Sequence, residues 1–144
     1  MKKNIAAAML AVSAVALSAG PASAGEKGTI VIPPPPAGKG QVVFFRPSAM
    51  GMAIRCTVRE GGKMIGRVAN GKYFVHVADP GAHSYTTKTE ATDTLAPEVE
   101  ADETQYVKCK IGAGFMAGRP NLSPSDKATF DSKSLKLQDP ADMA

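Results

Sequence analysis

From Gly40 to Ile111 the sequence reads as short strand-like runs separated by turn-forming residues, with no amphipathic helical period to compete with them. Gln41 to Arg46 is rich in Val and Phe and stops at Pro47. Ala53 to Arg59 alternates, with Ile54, Cys56 and Val58 on one face and Arg55, Thr57 and Arg59 on the other. Glu60-Gly61-Gly62 reads as a turn before Lys63 to Val68. Asn70-Gly71 signals a type I′ hairpin ahead of Tyr73 to Val77, because both central positions of that turn take positive φ. Asp79-Pro80-Gly81 turns the chain again before His83 to Thr89. Leu95 to Glu100 is a weaker strand, which Pro97 confines to an edge. Thr104 to Ile111 alternates, with Gln105, Val107, Cys109 and Ile111 on one face. About seven short strands at this spacing predict one small all-β domain, an antiparallel β-sandwich of immunoglobulin-like or prealbumin-like build.

The flanks organise the rest of the 144 residues. Lys2 and Lys3, the uncharged run Ile5 to Ala19 and the small residues Ala22-Ser23-Ala24 have the layout of a cleavable Sec signal peptide over residues 1–24. The run is short and Ala-rich, and Ser13 and Ser18 interrupt it, which argues against a membrane anchor. The expectation is therefore a periplasmic or secreted bacterial protein cleaved after Ala24, with no transmembrane segment in the mature chain. No Cys sits at the cleavage point to carry a lipid. Residues 25–40, with prolines at 33 to 36, are expected to be a stiff tether. The sandwich is expected over 41–138, with Ser123-Pro124-Ser125-Asp126 opening a short helix capped by Ser, Ser134 to Leu137 a last strand, and 139–144 a flexible tail.

Removing Lys2 and Lys3 takes the net charge from +4 to +2. The basic residues are scattered, so a sequence pI of 9.1 does not imply nucleic-acid binding.

An ordered set of short motifs carries a resemblance. Gly40-Gln41-Val42-Val43-Phe44-Phe45-Arg46-Pro47, Gly66, Asn70-Gly71-Lys72-Tyr73-Phe74, Asp79-Pro80-Gly81-Ala82-His83 and Tyr106-Val107 follow one another in that order. From Gly38 to about Gly118 the chain resembles the bacterial family known as domain of unknown function 2846. The resemblance implies an envelope β-sandwich with no assigned activity. Many relatives have a lipoprotein Cys that this chain lacks, and Asp102-Glu103 replaces the family's usual Gly before the last strand.

The two cysteines, Cys56 and Cys109, both fall on core-facing positions of their strands. In an oxidising compartment they are expected to form a disulfide; the alternative is a pair of buried thiols. No C-x-x-C is present, and nothing near either residue would activate a thiolate.

Catalytic motifs are missing: there is no G-x-S-x-G, no H-E-x-x-H and no P-loop. Gly112-x-Gly114-x-x-x-Gly118 has too little chain after it for a dinucleotide-binding unit. Glu98, Glu100, Asp102 and Glu103 read as a solvated edge. His76 and His83, with Asp79 between them, are weak metal candidates. Two histidines are too few for a complete ligand set and Asp79 has a sufficient role in the turn, so no metal and no cofactor is expected.

One pattern invites a binding role. Arg46, Met50 and Met52 cluster after the first strand, and Phe115, Met116 and Arg119 after the last strong one. If those strands pair in parallel, both loops lie at one end and form an adaptable apolar surface rimmed by guanidinium groups. The expected function is a non-enzymatic module that binds or scaffolds an envelope protein, or that docks on the membrane surface. The alternative is a module for a small ligand, glycan or lipid.

Overall fold

The computed structural model describes residues 30–47, 54–88, 92–112 and 119–143. Within them lie β1 (Gly40–Arg46), β2 (Cys56–Glu60), β3 (Lys63–Val68), β4 (Lys72–Ala78), β5 (Gly81–Ala82), β6 (Tyr85–Lys88), β7 (Thr92–Leu95), β8 (Glu98–Val99), β9 (Thr104–Gly112), β10 (Arg119–Ser125), α1 (Lys127–Asp131) and β11 (Lys136–Leu137), followed by a 3-10 turn at Pro140–Asp142. The fold is an all-β sandwich. One sheet has the order β10-β9-β1-β4-β11, the other β3-β2-β6-β7, and β5 pairs with β8.

β1 is the axis of the first sheet. Every residue of it is buried. It pairs antiparallel with β4 from Gly40↔Ala78 to Arg46↔Lys72, and parallel with β9 from Gln41↔Thr104 to Phe45↔Lys108. Its alternate side chains enter two different cores, as the two-residue period of a strand requires. Val42 and Phe44 face inward, packing with Val58, Val68, Phe74, Tyr85 and Val107 between the sheets. Val43 and Phe45 face outward, against Tyr73, Phe130 of α1 and Leu135. The Phe130 ring meets Phe45 and Tyr73 edge-on at centroid distances of 5.4 and 5.1 Å.

Cys56 on β2 and Cys109 on β9 are bonded across the inner core, with Cα atoms 6.5 Å apart. The disulfide that the alternation of the two strands predicts is therefore present, and it joins the two sheets.

Several expectations are refined. Eleven strands lie among the described residues where about seven were expected, since the chain is cut finely around Pro80 and Pro97, giving the two-residue β5 and β8, and Arg119–Ser125 adds a further strand. The first sheet is mixed, since β1 with β9 and β4 with β11 run parallel. Asn70-Gly71 does not make a type I′ hairpin. Gly71 has φ +72°, Asn70 is not among the residues with positive φ, and the turn carries the chain from one sheet to the other. The tight hairpin is instead Gly61-Gly62, with φ of +56° and +80°, between the paired residues Glu60 and Lys63.

Residues 119–125, expected in part to open a helix, form a strand. The Leu122 N–H points away from β9 and donates to Asp93 Oδ2 at 2.7 Å, so N–H groups at alternate positions face outward. Pro120 and Pro124 occupy such positions and cost the ladder nothing. The helix begins later, capped by Asp126 rather than Ser123, with the Asp126 carboxylate accepting the Thr129 N–H at 2.7 Å.

Both ends of the described chain pack onto the sandwich. Ile30 and Ile32 lie against the outer core, and Gln41 Nε2 donates to the Pro33 carbonyl at 2.7 Å, so this stretch covers the outer face of β1. Met143 packs against the inner core and Arg55 Nη1 donates to the Asp142 carbonyl at 3.4 Å.

Two measurements check this architecture. The Cys56–Cys109 bond spans 53 residues, and by loop-closure entropy it stabilises the fold by about 4 kcal/mol. A Cys56→Ala/Cys109→Ala double variant should lower the urea midpoint accordingly, and the parent protein, denatured without reductant, should show no free thiol. A Cβ at Gly66 would come within 2.6 Å of the buried Phe74 ring. Gly66→Ala should therefore cost about 1–3 kcal/mol in the same denaturation, as overpacked cores do.

Candidate functional site

The sandwich carries a cluster around two histidines, a groove at one side, and an end from which both β1 and β9 leave.

The histidine cluster is built by four elements. His76 sits on the inner side of β4, His83 lies between β5 and β6, Glu60 ends β2 and Tyr85 opens β6. His83 Nδ1 is 2.5 Å from Glu60 Oε1, and His83 Nε2 is 2.6 Å from the Asp79 carbonyl. A carbonyl and a carboxylate both accept, and only the imidazolium donates from both ring nitrogens. Burial works to lower the His83 pKa, but these two acceptors outweigh it and hold it above the ordinary value. His76 Nε2 is 3.6 Å from Glu60 Oε2. Burial lowers its pKa, and the nearby His83 charge adds to this against the pull of Glu60.

The Tyr85 ring lies parallel to the His83 ring at 5.8 Å and edge-on to His76 at 6.0 Å. Its hydroxyl is buried without a hydrogen-bond partner among the described residues, and burial together with Glu60 drives its pKa far above the usual range. Lys39 forms a salt bridge with Asp79 at the rim and keeps that carboxyl ionised below its usual pKa.

The turn thus brings His76 and His83 to one carboxylate, that of Glu60. Sequence reasoning treated Glu60 as a turn residue, and the available signal was a carboxylate beside a tight Gly-Gly hairpin. The arrangement is an ion pair and proton-holding cluster. Among the described residues, no set of three His, Cys, Asp or Glu side chains is arranged to hold a metal.

The groove has a volume of 610 Å³, within the range of small-molecule sites. Pro97 separates β7 from β8, and the chain between them forms one wall. Leu95, Pro97, Tyr106, Val107 and Pro124 line it together with Glu98, Gln105 and Asp126. Gln105 Nε2 donates to the Glu98 carbonyl at 2.6 Å, which fixes that wall to β9. Sequence reasoning missed the groove because its walls come from three segments that meet only in the fold.

The third place follows from the parallel register. β1 and β9 point the same way, so the segments after Arg46 and after Gly112 leave from one end of the sheet. Arg46 does not rim that end, because only 1% of it is exposed and it lies within the sandwich. Arg119 opens β10 there, paired with Gly112. Met50, Met52, Phe115 and Met116 lie outside the described residues.

A small disulfide-linked sandwich with a packed outer helix and these surface features defines the class of protein. The family model described as "Protein of unknown function (DUF2846)" matches residues 36–136, most of the chain, and the chain belongs to that family. No curated protein and no solved structure matches it. Among the described residues no helix is long and apolar enough to cross a membrane.

The histidines make a pH prediction with a definite sign. His83, with a raised folded-state pKa, contributes stability that is complete below about pH 6.5 and is lost as pH rises through the raised value. His76, with a lowered one, contributes stability above about pH 6.5 that is lost as pH falls through the lowered value. NMR titration should place His83 above and His76 below the ordinary histidine pKa. Glu60→Gln should lower the His83 value and cost about 1–2 kcal/mol at pH 6, with a smaller cost at pH 9.

Proposed function

We propose that the protein is an exported, non-enzymatic module of the bacterial cell envelope that binds or scaffolds a partner protein. The observation that carries this reading is the parallel pairing of β1 with β9. It makes β1 and β9 finish at the same end of the sheet, and the Met- and Gly-containing segments 48–53 and 113–118 follow them in sequence. Unbranched Met side chains suit an adaptable protein contact. The export pattern of residues 1–24 supports an envelope location, and so does the Cys56–Cys109 bond, since such bonds persist in oxidising compartments.

Photocrosslinking in living cells tests the reading, with a photoreactive residue at Met116 and a control at the exposed Lys88. The expected result is one discrete protein adduct from Met116 and none from Lys88. Adducts to lipid alone would transfer the contact to the membrane surface, and no adduct from either position would refute the partner reading.

The 610 Å³ groove favours a second reading, a binder of a small ligand or glycan, with Tyr106 offering an aromatic face and Gln105, Glu98 and Asp126 polar groups. A ligand present at a hundred times its Kd would then stabilise the fold by about 2.7 kcal/mol, which a thermal-shift screen detects readily.

A further inference from the structure

Three of the sandwich's long edges are protected against pairing with another chain. β10 places Pro120 and Pro124 where outward N–H groups would be. β3 carries Lys63 and Arg67, and the pairing of its neighbour β2 is shifted between Val58 and Arg59. β7 is tied to β10 through Asp93 and the Leu122 N–H.

The fourth edge belongs to β4, and it is different. β11 pairs only with Lys72 and Tyr73. The Gln138 side chain then accepts the Ala69 N–H at 2.9 Å, and the chain departs toward Arg55. From Phe74 to Ala78, β4 has β1 on one side and, among the described residues, no strand on the other.

The backbone direction at this edge follows from the bonds already made. The Gly71 and Tyr73 carbonyls accept from Lys136 and Gln138 N–H groups at 3.0 and 2.8 Å, so they point outward. Backbone groups alternate along a strand, so the N–H and C=O of Val75 and Val77 point outward too. Phe74-Val75-His76-Val77 contains neither Pro nor a fixed charge. Val77 is 46% exposed, and Leu137, the register partner of Tyr73, is 59% exposed. Lys72 and Lys136, register partners at the β11 end, add positive charge.

We propose that this edge binds an extended segment of a partner protein as an added strand, in line with β11. The inference rests on the partner-binding reading and specifies how such a partner is held. Main-chain bonds to Val75 and Val77 supply affinity. Apolar residues at alternate positions meet the two valines, and a carboxylate meets Lys72 and Lys136. The charge at that end selects an acidic terminus. A second copy is disfavoured, because its own β11 would have to share the line, which leaves a single register. A free segment has no such restriction.

The test uses the ¹⁵N-labelled mature chain and a synthetic probe, acetyl-Thr-Val-Thr-Val-Glu-amide, whose antiparallel docking puts Glu at the Lys72 end. Shifts should concentrate at Val75, Val77 and Leu137, and amide exchange of the two valines should slow more than tenfold. Val77→Pro removes an N–H that β1 does not use, so it should abolish binding in a folded protein, and Lys72→Glu should weaken binding severalfold. No shifts up to millimolar probe, or shifts that survive Val77→Pro, would overturn the proposal. So would protection of Val75 and Val77 in the free protein that grows with protein concentration, which would assign the edge to a second copy. The Met116 crosslink separates this from the broader reading, because an adduct retained by a protein that ignores the probe removes the edge site alone.

Discussion

Strand β1 is buried on both faces and hydrogen-bonded along both edges, and this constraint sets the rest of the architecture. A strand in that position exposes nothing to water, so each face must be covered by a separate layer. The second sheet covers Val42 and Phe44. Covering Val43 and Phe45 needs material from outside the sandwich: α1 through Phe130, Leu135 before β11, and Ile30 and Ile32 from the segment preceding β1. The helix, the last strand and the incoming chain are therefore parts of the fold rather than appendages.

The two sheets are joined at points that suit the chemistry of each place. In the dry interior the join is covalent, between Cys56 and Cys109. At one partly exposed margin it is ionic, where Glu60 of the second sheet lies beside His76 of the first, and His83 holds the same carboxylate. At the other side the bond from the Leu122 N–H to Asp93 links β10 to β7.

Much of the fold was legible in the sequence. Period-two alternation located β2 and β9 and pointed Cys56 and Cys109 inward, because strand geometry alone fixes which face a side chain takes. The Val- and Phe-rich run from Gln41 to Arg46 marked β1 as a strand, and the structure adds that both of its faces are buried. β10 was not legible, since its prolines argue against a strand until the outward direction of their N–H positions is known. Glu60, Tyr85 and the groove residues were equally hidden. Glu60 meets His83 across 23 residues and the groove walls come from three separate segments, and local pattern has no information about such pairings.

The sequence by itself pointed to the strand-and-turn alphabet and to the pairing of the two cysteines, consequences of short-range geometry and of there being only two cysteines to join. Only the tertiary structure decided that Arg46 is buried, that the strands around β1 run parallel on one side and antiparallel on the other, that Glu60 is the histidines' partner, and that β11 pairs with β4 at Lys72 and Tyr73 alone. These depend on strand order and on where β11 departs after Gln138, which arise from packing distant segments around β1.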